Sequence, residues 1–119
     1  MNKNILVVDD EQDVRDYLGA LLQDNGYGVL TAADGLQAME WVKRRRPDLI
    51  LLDLDMPEET GTGFYRKLRN HKDLRQIPVI VVSGLAGRNV AISRSVVVLD
   101  KPLDEQRLLS EVESALQGQ

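Results

Sequence analysis

The sequence predicts an α/β fold, an open five-stranded parallel sheet doubly wound by helices on both faces. Three observations carry this. Apolar runs of four residues, such as Ile5 to Val8, Leu49 to Leu52 and Val79 to Val82, recur along the chain, the pattern of strands buried on both faces. Between them the apolar spacing changes to i, i+4 and i+7, the stripe of a helix packed on one side. A length of 119 residues suits one domain with one core.

Each element follows in order. Ile5 to Val8 is the first strand, and acidic residues follow it at once. Val14, Leu18, Leu21 and Leu22 then share one helical face, and Asn25-Gly26 supplies the stop. Gly28 to Ala32 is a weaker strand. Asp34-Gly35 caps a second helix carrying Ala38, Met39 and Val42, which runs out through Arg44-Arg45-Arg46 to Pro47; cations complement the dipole at a helix C-terminus. Leu49 to Leu52 is the third strand, and a loop with Pro57 and Gly61 leads into a third helix ending near Asn70. Val79 to Val82 is the fourth strand. From Leu85 to Arg94 the apolar stripe blurs around Gly87 and Asn89, so a helix here is short or irregular. Val96 to Leu99 is the fifth strand, and Asp104 opens a last helix with Leu108, Leu109, Val112 and Leu116 on its inner face.

Composition narrows the function. Hydrophobic residues at 43% and charged residues at 29% are an ordinary balance for a folded domain. The absence of cysteine excludes disulfides and thiolate metal sites and fits a reducing compartment. With 15 Lys and Arg against 19 Asp and Glu, the net charge of −4 argues against direct nucleic-acid binding by the domain as a whole. The apolar runs are far shorter than the ~20 residues a bilayer span needs, and no signal-peptide pattern follows Met1. A cytoplasmic protein making no membrane contact is expected.

In an open parallel sheet, ligands bind at the carboxyl ends of the strands. Here the first strand ends in Asp9-Asp10-Glu11, the third in Asp53, the fourth in Ser83 and the fifth in Asp100-Lys101-Pro102. Carboxylates gathered at one edge repel by about 4 kcal/mol per pair at an effective dielectric near 20. They need a cation or must take up protons. An all-oxygen site with room for water suits magnesium. Asp53 then stands as a nucleophile toward phosphorus, with Lys101 stabilising charge on the transferring group and Ser83 offering a hydroxyl.

Asp9-Asp10, Asp53-Leu54-Asp55-Met56-Pro57, Ser83 and Lys101-Pro102, in this order after successive strands, resemble the receiver domain of two-component response regulators, chemotaxis-regulator-like, over essentially the whole chain. The resemblance implies a flavodoxin-like sheet with strand order 2-1-3-4-5. It takes residues 1–119 as one receiver domain with no output domain in this chain. Asp53 would accept a phosphoryl group from the phosphohistidine of a sensor histidine kinase or histidine phosphotransfer protein, in a magnesium-dependent reaction that manganese could also support. Asp10 and Asp53 would hold the metal directly, Asp9 mainly through water, and Asp55 through its backbone carbonyl. Lys101 would pair with the phosphoryl oxygens, the Lys101-Pro102 bond would be the place for a cis peptide, and Ser83 would be the switch hydroxyl. Gly61 matches a glycine near the start of the third helix. Asp55 and Leu85 would tune the lifetime of the phosphoaspartate, the apolar Leu85 by excluding water. The domain would be no enzyme beyond its own phosphorylation and slow dephosphorylation, acting as a monomer or a phosphorylation-linked dimer on an output partner.

The chain departs from that pattern in places. The interval from Ser83 to Lys101 is short for the family, Val98 stands where many receivers carry Tyr or Phe, and Glu59-Thr60 replaces a common Met-Asp. Two other functions stay open. One is an interaction module with a receiver fold that works without phosphorylation. The other is a phosphatase of the haloacid-dehalogenase type, whose first motif Asp53-Leu54-Asp55 also resembles. Taken singly, Asp9-Asp10-Glu11 is also a charged helix start, Ser83-Gly84 a turn and Lys101 a solvated lysine. His71 and the Arg44 to Arg46 run read as solvated polar positions without chemistry, and Trp41 as packing at the edge of the second helix.

Overall fold

The computed structural model describes residues 3–54, 56, 60–84 and 96–118. The elements run β1 (Asn4–Val8), α1 (Gln12–Asp24), β2 (Gly28–Ala32), α2 (Gly35–Arg44), β3 (Leu49–Asp53), α3 (Thr60–Asn70), β4 (Val79–Ser83), β5 (Val97–Asp100) and α4 (Glu105–Gln117). The strands form one sheet in the order β2-β1-β3-β4-β5, every pair parallel. This is the doubly wound fold expected from the sequence. The stretch in which a short or irregular helix is expected, 85–95, lies outside the described residues, as do Asp55, Glu59 and Leu85.

Alternation along the strands sorts the core into two layers. Leu6, Val8, Ile50, Leu52 and Val81 face α2 and α3, where Ala38, Val42, Phe64 and Leu68 meet them. Ile5, Val7, Leu49, Leu51, Ile80 and Val82 face α1 and α4, against Leu18, Leu22, Leu108 and Val112. Because both sides are covered, β1 and β3 are continuous apolar runs, and Leu49 to Asp53 is buried throughout. The edge strand β2 is only half buried, which is why its apolar signal is weaker.

Local chemistry fixes the helix ends. The Asp34 carboxylate accepts from the Gln37 N–H, and Asp104 accepts from the N–H groups of Gln106 and Arg107. Gly26, at φ 91°, takes the left-handed conformation that turns the chain from α1 into β2. α2 stops at Arg44; Arg44 to Arg46 are exposed, as expected of a solvated helix end, and Arg46 also donates to the Asp73 carbonyl at 2.8 Å. Trp41 Nε1 donates to the Thr31 carbonyl at 2.9 Å, tying α2 to β2.

These packing differences set an order of effects in urea unfolding. Ile50→Ala, at a fully buried position, is expected to cost about 2–5 kcal/mol. Asp34→Ala removes a cap and is expected to cost about 1 kcal/mol. Leu36→Ala, at a position 72% exposed, should stay within about 0.5 kcal/mol of the parent. A Leu36→Ala loss as large as that of Ile50→Ala would contradict the packing.

Candidate functional site

The sheet delivers the polar residues to its carboxyl edge by continuing its ladder past the strands. Asp9 N–H donates to the Ala32 carbonyl at 3.1 Å, Leu54 N–H to Val82 at 3.1 Å, and Lys101 N–H to Ser83 at 3.2 Å. Register places Asp53 beside Val82 and Ser83 beside Asp100. Backbone hydrogen bonds therefore fix the positions from which the side chains reach the site.

Asp9, Asp10 and Asp53 come together there, each offering a carboxylate oxygen, all within 4.8 Å of one another. Asp9 and Asp53 are buried, 4% exposed each, whereas Asp10 is exposed. Lys101 Nζ lies 3.1 Å from Asp53 Oδ1. Asp9 Oδ1 accepts from the Glu11 N–H at 2.9 Å, and the Arg15 guanidinium donates to the Asp9 carbonyl at 2.6 Å. Arg15 was not singled out from the sequence; it sits one turn into α1, and only the fold shows that it turns back toward Asp9. Ser83 is fully buried, and its hydroxyl donates to the Gly84 carbonyl at 2.8 Å. The Lys101-Pro102 peptide bond is cis. Of the other expected site residues, Asp55 and Leu85 lie outside the described residues.

Charge decides what this cluster can hold. Burial pushes the Asp9 carboxyl up to about 6, and the neighbouring Asp53 carboxylate adds to the rise, while the Glu11 N–H and Lys101 oppose it. Below about pH 6 this carboxyl thus keeps its proton beside the others in the metal-free protein. The donor set is all oxygen, compact and open to water on the Asp10 side, which fits a hard divalent cation.

Beneath the cluster a cavity of about 380 Å³ opens between α1 and the start of α4. Val14, Tyr17 and Leu18 of α1 face Leu51, Val82 and Leu103 across it, and Asp9, Asp53 and Lys101 close one end. The Tyr17 hydroxyl donates to the Glu105 carboxylate, linking α1 to α4, and this bond raises the pKa of the phenol. A contact spanning 88 positions is invisible to periodicity.

Residues 5–113 match the family model of the response regulator receiver domain. The chain belongs to that family. It is 35% identical over 116 residues to protein Rrf1 of Nitratidesulfovibrio vulgaris, a match covering 98% of this chain and 84% of Rrf1. It is 41% identical over 119 residues to the response regulator PleD of Caulobacter vibrioides, covering 96% of this chain and 26% of PleD. Among solved structures it resembles the signal receiver domain of a signal transduction histidine kinase from Syntrophus aciditrophicus, at 31% identity and a TM-score of 0.88, covering 98% of this chain and 91% of that one. The chain thus spans most of some relatives and about a quarter of others. No helix among the described residues is long and apolar enough to cross a membrane.

The position of Asp9 sets a pH dependence. Its folded-state pKa of about 6 lies above the ordinary 3.8, so in metal-free protein the folded state holds a proton that the unfolded chain releases. This contribution to stability is fully present below about 3.8 and is lost as pH rises through about 6. Urea midpoints in chelator should therefore fall across that window, and Asp9→Asn should flatten the fall. An equally steep fall in Asp9→Asn would contradict the assignment.

Proposed function

We propose that this receiver domain accepts a phosphoryl group on Asp53 from a phosphohistidine, in a magnesium-dependent reaction, and that phosphorylation alters a partner-binding surface. The observation that carries the reading is the juxtaposition at Asp53: a buried carboxylate at a strand end, with Lys101 at 3.1 Å and two further carboxylates gathered beside it. Asp53, Asp10 and, mainly through water, Asp9 would hold the metal, with the Asp55 carbonyl completing the protein ligands. Manganese offers the same hard-ion chemistry. When bound, the metal supplies positive charge that offsets both the carboxylates and the phosphoryl oxygens.

An Asp53 carboxylate oxygen attacks phosphorus while the phosphorus–nitrogen bond of the phosphohistidine breaks. The imidazole leaves with the bonding electron pair, and an acyl phosphate forms on Asp53. Lys101 is positioned to follow the oxygens that gain charge during transfer. The Ser83 hydroxyl, now held by the Gly84 carbonyl, can exchange that partner for a phosphoryl oxygen and draw the end of β4 with it. Asp55 and Leu85 would govern how water reaches the acyl phosphate. Family membership favours this reading over a haloacid-dehalogenase-type phosphatase.

A second reading rests on Val98. Its side chain is half buried against the core layer under α2 and α3, so no aromatic ring is available at that position to turn inward when Ser83 moves. A receiver that binds its partner in either phosphorylation state would tolerate this.

Incubation with acetyl phosphate and magnesium, followed by intact-mass measurement, tests the proposal. One phosphoryl group should be gained, none should be gained by Asp53→Asn or in excess chelator, and Lys101→Ala should slow labelling by roughly 10²-fold. Labelling that persists in Asp53→Asn would overturn the assignment. If labelling occurs but partner affinity is the same before and after it, the phosphorylation-independent reading holds.

A further inference from the structure

The face made by α2 and α3 has a charge opposite to the rest of the molecule. Nine of the chain's 15 Lys and Arg residues fall between positions 43 and 75, although the whole chain carries −4. α2 and α3 together contain five cations and a single acid, Glu40. Between the two helices runs a groove of about 500 Å³, lined by Leu36, Met39 and Lys43 on one side and Lys67, Asn70 and His71 on the other. Among the described residues neither Lys43 nor Lys67 forms an ion pair. By contrast, Arg46 and Arg69 donate to the carbonyls of Asp73 and Arg75.

Two features point to an occupant. Leu36, which lines the groove, is 72% exposed, the most exposed large hydrophobic residue among the described residues. Gly63, one turn before Lys67 on the same stripe of α3, has open space where a side chain would go: an added Cβ meets nothing within 4 Å. Glycine inside a helix costs about 1 kcal/mol relative to alanine, and among the described residues no neighbour requires it here. Its use leaves room for another backbone to approach α3.

We propose that this groove binds an acidic amphipathic helix of a partner protein. Its apolar residues would seat on Leu36 and Met39 and pass close to Gly63, and its carboxylates would face Lys43 and Lys67. A nucleic-acid duplex offers Leu36 little beyond an occasional thymine methyl, and its closely spaced phosphates would run onto the acidic remainder of a −4 domain. A bilayer surface does not enter a groove between two helices. A helix with alternating carboxylates and leucines meets both the apolar floor and the cationic rim. The groove shares no lining residue with the Asp53 site, so the inference stands apart from phosphoryl transfer.

The test is a titration of the intact, unphosphorylated chain followed by amide chemical shifts. The probe is a designed helical peptide of about 18 residues, its helicity checked by circular dichroism, with leucine at i, i+3 and i+7, three glutamates flanking that stripe, and alanine and glutamine elsewhere. Saturable binding is expected, with shifts confined to α2 and α3. Lys43→Glu combined with Lys67→Glu should weaken it at least tenfold, and so should Gly63→Leu, which puts a side chain where the partner backbone would approach α3 and introduces a better helix former. Replacing the peptide leucines by serine should weaken binding to a similar degree. No saturable binding, shifts elsewhere on the molecule, equal binding of the leucine-free peptide, or tighter binding to a DNA duplex or to phosphatidylserine vesicles would each overturn the proposal.

Discussion

Mutual repulsion among Asp9, Asp10 and Asp53 is the constraint around which the rest of this structure is arranged. Three carboxylates within 4.8 Å, two of them buried, do not assemble spontaneously. They are held together because β1 and β3 are adjacent, parallel and clamped by apolar residues on both faces, so that both strands end at one level. The core thus holds like charges in place, and Lys101, directly after β5, supplies a fixed cation at the centre. Burial first and the Asp53 carboxylate second raise the pKa of Asp9, which is the residual cost of this arrangement.

Opposite charges are kept on separate parts of the molecule. The acidic cluster stands at the strand ends, while bases concentrate along and after α2 and α3. Each surface suits a different partner chemistry, phosphoryl groups and cations at one, carboxylates at the other. Because the two surfaces share no lining residue, occupying one need not block the other.

Much of this was legible in the sequence because a doubly wound sheet imposes strong patterns. Runs such as Leu49 to Leu52 arise only where both faces are covered, and the polar residue that ends each run must lie at the carboxyl edge. That logic places Asp9, Asp10, Asp53, Ser83 and Lys101 at one edge from the sequence alone. What could not be read depends on distance along the chain or on side-chain direction. The Arg15 contact with the Asp9 carbonyl, the Tyr17 link to Glu105 and the cavity between α1 and α4 all require the packed fold. Arg46 shows the same limit: it is solvated, as a cation after a helix should be, but only the path of the 71–77 turn brings the Asp73 carbonyl within its reach.

The central claim is that the gathered carboxylates form a cation site. It is tested most directly by thermal unfolding at neutral pH as magnesium is added. A ligand that binds only the folded state stabilises it in proportion to the logarithm of its concentration above the dissociation constant. The midpoint should rise with magnesium in the parent protein and stay flat in Asp10→Asn combined with Asp53→Asn. A midpoint unmoved by magnesium in the parent, or one that rises equally in the double variant, would contradict the account.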